Sequence, residues 1–221
     1  MRRIPEPELM EDPAQALAYA RADFSQPHDL FVTLFVERFG TDLNGTMLDL
    51  GCGPGDICRR LARALPGSRI HGIDASRAML ELARADTEQH GLSGRIYYHL
   101  GYLPDTQLPQ QRYDAVISNS LLHHLKQPAA LWQTVQAFAR PGAAVLVMDL
   151  MRPTSRLAAS QLVEEYAGGE PQLLQRDFFN SLLAAYRPAE VKLQLEQSGL
   201  GSLQIETVSD RHFIVFGSLG S

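Results

Sequence analysis

The chain has 221 residues, 45% hydrophobic and 20% charged, with a net charge of −5 at pH 7. That length supports one well-buried core, so a single domain over residues 1–221 is expected. The mildly acidic balance gives no electrostatic footprint for nucleic acid or an anionic membrane, and no apolar run approaches membrane length. Two cysteines, Cys52 and Cys58, lie in one short segment and do not make a disulfide framework. The opening MRRIPEPELMEDP has acids and prolines where a secretory signal needs an apolar stretch, which makes the cytoplasm the expected compartment.

Residues 12–24 predict a helix with Asp12 as N-cap and Pro13 at its first position. A second helix over 28–39 places Phe31, Leu34, Phe35 and Phe39 at helical spacing and stops at Gly40. Strands and helices then alternate: strand 46–50, helix 56–65, strand 68–74, helix 76–90 with Ser76 as cap, strand 95–100, strand 113–119, helix 128–139 and strand 143–150. That rhythm means a parallel sheet covered on both faces. Residues 154–187 read as helical around a loop, EEYAGGEP, and 187–200 as a helix entered at Pro188. Two closely spaced strands, 202–208 and 211–217, finish the chain and must be antiparallel.

Residues 47–56 read MLDLGCGPGD. Glycine adds nothing to a core strand, so glycines at 51, 53 and 55 mark a backbone that must turn sharply and lie close to a ligand. In an open parallel sheet that place is the carboxyl end of the strands. The spacing is not the G-x-G-x-x-G of dinucleotide binders, and no phosphate-loop motif is present. Asp56 at the following helix start would compete with a phosphate. Asp74 ends the second strand about 20 residues beyond the loop, where an acid accepts hydrogen bonds from ribose hydroxyls. The ligand expected here has a ribose, positive charge and no phosphate in the loop.

DLGCGPGD, GIDAS, YDAVISNSLLHHL and AAVLVMDL together resemble the successive motifs of class I S-adenosylmethionine-dependent methyltransferases. The likeness is to the small bacterial type 11 group with the ubiquinone and menaquinone C-methyltransferases, and it covers residues 40–150. It implies an α/β, Rossmann-like doubly wound sheet of seven strands in the order 3-2-1-4-5-7-6, strand 7 antiparallel. It also implies an N-terminal helical lid (1–40), a cofactor core (41–150), a helical substrate-side insert (151–187), and a last helix with its hairpin (188–221). The implied cofactor is S-adenosyl-L-methionine, leaving as S-adenosyl-L-homocysteine. By the same resemblance Gly51, Cys52, Gly53 and Gly55 pass under the methionine part, Asp49 orients its amino group, and Asp74 holds the ribose. Ala75 and Ser76 flank ribose and adenine, and Asn119, Ser120 and Leu121 line the methyl. Many relatives have Gly-Asp after the third strand, the Asp holding the adenine amino group; Gly101-Tyr102 stands here, which leaves that role to Tyr102 or a backbone carbonyl, or has Tyr102 stack on the ring.

Methyl transfer is an in-line displacement at an activated carbon, so alignment is the main requirement and a base is needed only for a protonated acceptor. His123, His124 and Asp149 are the candidate catalytic groups, each with a plain scaffold reading beside it. Tyr19, Phe24 and His28 sit where the resembling family has a lid over the cofactor, or simply pack their helices, and Phe178, Phe179 and Tyr186 roof an apolar pocket or simply pack. Arg152, Arg156 or Arg176 would pair with an acceptor carboxylate. Ser118-Asn119-Ser120-Leu121 lacks the N/D-P-P-Y/F pattern of nucleic-acid amino-methylation. The paired glutamates of protein arginine methyltransferases and the metal carboxylates of catechol enzymes are also missing, so no metal is expected. A small-molecule acceptor remains, accepting through O, N or C. Two other readings stay open: a non-catalytic cofactor-binding scaffold, and a nicotinamide-dependent oxidoreductase. The latter is disfavoured because Glu170 and Glu190 stand where a Y-x-x-x-K lysine would follow Tyr166 and Tyr186.

Overall fold

The computed structural model describes residues 1–6 and 12–220. A seven-stranded sheet runs in the order β3-β2-β1-β4-β5-β7-β6. Its strands are β1 (Thr46–Leu50), β2 (Arg69–Asp74), β3 (Ile96–Leu100), β4 (Tyr113–Asn119), β5 (Ala139–Leu150), β6 (Gln204–Thr207) and β7 (His212–Ser218). β1 to β5 pair in parallel, and β7 runs antiparallel between β5 and β6. Every residue of β1 is buried, as expected of a strand covered on both faces. Strand order reverses between β1 and β4, which opens a crevice at their carboxyl ends.

One apolar layer packs α2 (Ser25–Phe39), α3 (Asp56–Ala64) and α4 (Arg77–Gln89) on the sheet through Phe31, Phe35, Leu61 and Leu80. The other face packs α5 (Ala129–Phe138) and α8 (Pro188–Gln197) through Trp132, Val135, Val191 and Leu195. The wholly buried Trp132 keeps its indole N–H satisfied by Gln194 Oε1 at 3.0 Å. α6 (Arg156–Ala167) and α7 (Gln172–Ala184) form a separate pair above the sheet's carboxyl edge, and α1 (Pro13–Arg21) lies near α4.

The predicted caps form: Asp12 accepts from Gln15 N at 2.9 Å and Ser76 from Met79 N at 3.2 Å; in addition Glu190 closes back on Arg187 N at 2.9 Å. Each such cap is worth about 1 kcal/mol. β5 differs from expectation. It begins at Ala139, not 143, because Tyr113 pairs with Ala139 before the register shifts to Ala115 with Ala144. The Pro141-Gly142 turn is looped out inside the strand. No helix among the described residues is long and apolar enough to cross a membrane.

Candidate functional site

Two adjoining cavities lie over the carboxyl ends of β1, β2, β4 and β5. The larger, about 560 Å³, is lined by Asp49, Gly51, Cys52, Gly53, Asp74, Ala75, Ser76, Tyr102, Asn119, Ser120 and Leu121, with Glu6, Asp56 and Lys126. The smaller, about 290 Å³, is lined by Phe24, Leu150, Tyr166, Asp177, Phe178, His123, Arg211 and His212 among others. Tyr19, His28, Asn119, Ser120 and His124 belong to both walls.

The glycine loop leaves β1 with Gly53 at φ +51° and Gly55 at φ +78°. The two serve different ends. A Cβ on Gly53 would meet no protein atom within 4 Å, so that face of the loop is open to the larger cavity. A Cβ on Gly55 would come within 2.2 Å of the Tyr98 hydroxyl. Gly55, expected to touch the cofactor, instead faces away and allows the loop to pack on β3; it does not line the cavity.

Asp74 fixes the loop from the next strand. One carboxylate oxygen accepts from Gly53 N at 2.9 Å and the other from Ser76 N at 2.8 Å. Burial raises its pKa against those two donors. Asp49 is 1% exposed and is met by the Cys58 thiol, which donates to it at 3.1 Å. Burial pushes the Asp49 carboxyl up to about 7, with the negative Asp74 adding to the rise and Cys58 opposing it. A buried carboxyl with so little compensation calls for a cationic partner. Asp56 sits in the first turn of α3, where the free N–H groups favour its charge. Burial works against it, but His28 Nδ1 at 2.7 Å and Arg60 Nε at 2.6 Å hold it well below the usual carboxylate range. The helix start is therefore already served by an acid, and α2 is tied to the loop.

Ser120, at the end of β4, has φ +56° and is the one non-glycine residue with positive φ among those described. Such strain persists where the surroundings impose it, often at ligand sites. Beside it the buried Asn119 Oδ1 has no hydrogen-bond partner. The open Gly53 face, the buried Asp49 carboxyl with a thiol as its donor, the Asp74 carboxylate at the end of β2 and this orphaned acceptor together fit an adenosine ligand with a cationic tail.

His123 and His124 form a 3-10 turn after β4 (Leu122–His124). His123 Nδ1 lies 2.7 Å from Asp149 Oδ1, and Asp149 also accepts from Leu122 N at 2.7 Å and Leu150 N at 2.8 Å. Burial opposes both charges, yet the pair holds Asp149 below and His123 above their ordinary values. Asp149 itself stands behind His123, outside either cavity wall. The Tyr19 and Phe24 rings lie 4.7 Å apart and tilted, Tyr19 lining both cavities and Phe24 the smaller, and burial, with Asp74, Asp149 and Asp56 nearby, pushes the Tyr19 hydroxyl up to about 12.

The predicted arginines do not reach the cavities. Arg152 is 7% exposed and turned to α8, where it pairs with Glu190 and donates to Ala185 O at 3.1 Å. Arg156 is exposed and lies over the Phe179 ring at 5.3 Å, and neither residue lines a wall. Arg176 is likewise outside, beside Asp177 at 3.3 Å. The arginine in the smaller cavity is Arg211, 8% exposed, with Asp210 at 3.1 Å and Gln26 at 3.4 Å. Sequence reasoning missed it, as it missed Glu6 and His212.

Residues 42–181 match the family model described as a methyltransferase domain. The chain belongs to that family, and its sheet order and adenosine-type cavity make it one of the class I S-adenosylmethionine-dependent methyltransferases. This sets aside the nicotinamide reading.

Among curated proteins, the chain is similar to the ubiquinone biosynthesis O-methyltransferase of Hydrogenovibrio crunogenus, 33% identical over 53% of this chain and 48% of that protein. It is also similar to that of Bordetella pertussis, 29% identical over 75% of this chain and 66% of that protein. The chain thus spans about half the length of the first of these relatives. In fold it matches a solved SAM-dependent methyltransferase of Aquifex aeolicus, with a TM-score of 0.68 at 20% identity over 94% of this chain and 98% of that one. It matches the plantazolicin methyltransferase BpumL, solved with a monoazolic desmethylPZN analogue and SAH, with a TM-score of 0.73 at 13% identity over 95% and 91%.

Proposed function

We propose that the protein transfers a methyl group from S-adenosylmethionine to a hydroxyl of a small, mainly apolar molecule. One observation carries this reading: the two cavities share a wall at Tyr19, Asn119, Ser120 and His124, so donor and acceptor would meet there. When bound, the cofactor supplies a methyl already activated as a sulfonium.

The chain's own residues do the rest. Asp74 receives the ribose hydroxyls, Asp49 the amino group, and Tyr102 flanks the adenine. Asn119, Ser120 and Leu121 border the methionine portion. Tyr19 and Phe24 close the junction to water, which tightens alignment of the reacting atoms. His123, whose ring Asp149 fixes, and His124 present the polar edge against which the accepting oxygen is held. Phe178 and Leu150 offer apolar surface, and Arg211 offers a cation for an anionic end of the acceptor. The O-methyltransferase relatives support oxygen as the accepting atom. The net charge of −5 argues against a nucleic acid acceptor.

The test is calorimetric titration with S-adenosylmethionine and S-adenosylhomocysteine, followed by an acceptor panel of phenols, amines and carbon nucleophiles, monitored by S-adenosylhomocysteine release. Binding with turnover of hydroxylated acceptors is expected. Absence of binding overturns the proposal; binding with no turnover across the panel favours the non-catalytic scaffold instead.

A further inference from the structure

Glu6, His123 and His124 each present one ligand atom, and these atoms all lie within 4.8 Å of one another. Two separate segments bring them together. The extended N-terminus is held on α7 by Ile4 N donating to Leu183 O at 3.0 Å, which delivers Glu6. The turn after β4 delivers the histidines. Arg3 joins the two, with Nη2 donating to His123 O at 2.8 Å and its guanidinium over the Tyr186 ring at 4.1 Å.

Around the three stands a supporting layer of the kind that orients metal ligands. Asp149 occupies His123 Nδ1, which leaves Nε2 as the free nitrogen. Ser181 Oγ donates to Glu6 Oε2 at 3.0 Å. His124 Nδ1 lies 3.2 Å from Glu6 Oε2, yet it is buried without hydrogen-bond geometry to any partner. The Glu6 carboxylate is 9% exposed, so water does little for either group. A Glu6–His124 ion pair alone leaves that nitrogen poorly satisfied.

Two imidazoles and one carboxylate suit zinc-class divalent ions and are poor for magnesium or calcium, which want oxygen. Three protein ligands leave a position open. His124 lines both cavities, Glu6 the larger and His123 the smaller, so that position faces the junction. We propose that Glu6, His123 and His124 bind one divalent transition-metal ion of the zinc class, with its open coordination position toward the junction of the two cavities. The binding geometry stands independently of the methyl-transfer reading.

The experiment uses the full chain, treated with chelator and titrated with Co²⁺ while the visible ligand-field absorption is read, followed by displacement with Zn²⁺. Saturation at one ion per chain is expected. Glu6→Gln and His124→Ala should each weaken binding at least about tenfold. His90→Ala, on the exposed end of α4, should leave it unchanged. Circular dichroism and an S-adenosylmethionine titration on the same samples establish that each variant is folded. No Co²⁺ absorption in the wild type, or wild-type affinity in both site variants, overturns the metal site. Loss of cofactor binding with metal binding intact bears on the proposed function alone.

Discussion

The role proposed for Asp49 predicts that cofactor affinity depends on pH, in a direction set by the burial of its carboxyl. Its carboxyl is 1% exposed, has the Cys58 thiol as donor, and has a pKa pushed up to about 7. Only the ionised form attracts a cationic amino group. With a pKa near 7, the carboxyl is roughly nine-tenths ionised at about pH 8 and roughly one-tenth at about pH 6. Affinity for S-adenosylmethionine should therefore fall about tenfold between those values, about 1.4 kcal/mol. In the free protein the sign is opposite for stability. A carboxyl raised from 3.8 to about 7 binds more protons folded than unfolded, so stability falls as pH rises through that window. The assay is calorimetric titration at half-unit steps, for the wild type and Asp49→Asn. The variant should bind weakly and without the slope, since an amide does not titrate. A flat wild-type profile, or the same slope in Asp49→Asn, refutes the assignment.

Three further outcomes follow from individual residues. Asp74→Asn keeps the shape but gives up charge and one acceptor, so S-adenosylmethionine binding should weaken by about 2–3 kcal/mol, or roughly 30- to 150-fold, by calorimetry; unchanged affinity would remove Asp74 from the site. Gly53→Ala should cost only about 1–2 kcal/mol of stability from its φ of +51°, yet abolish cofactor binding, because its Cβ enters open cavity. Gly55→Ala should instead lower the melting temperature strongly, its Cβ lying 2.2 Å from the Tyr98 hydroxyl; equal behaviour of the two variants would contradict their distinct roles. His71 is buried beside Tyr113, Tyr97, His99 and Arg69, and burial chiefly lowers its pKa to about 4. It is neutral when folded, so its contribution to stability is lost as pH falls from about 6.5 to about 4. Denaturant midpoints for His71→Gln should therefore drop less over that range than those of the wild type.

The donor side of the site was legible because local rules govern it. A strand, a glycine loop and a helix start are contiguous, so Asp49, Gly53 and Asp56 arrive together by chain connectivity. Asp74 follows from the parallel pairing of β1 with β2, which sets Leu50 beside Ile73. Asn119 and Ser120 follow from β4, paired on the other side of β1. Gly55 shows the limit of the motif: the same spacing serves a packing contact with Tyr98 that only the tertiary structure reveals.

The acceptor side obeys no such rule. Arg152 follows β5 by two residues and by chain position belongs in the pocket, but Glu190 on α8 lies on the opposite side and draws it away. Arg211 lies beyond the insert and last helix, yet β7 is antiparallel to β5. That reversal sets His212 opposite Leu150, so the start of β7 lands at the edge where the parallel strands end. An antiparallel last strand thus carries Arg211 and His212 into the smaller cavity, while the N-terminal segment carries Glu6 to the histidines from the other end of the chain. Donor recognition can be held constant in one short stretch while acceptor recognition varies with the residues that these distant segments supply. A search for the acceptor should therefore be guided by Arg211, His123 and Phe178, since the glycine loop says only what gives the methyl group away.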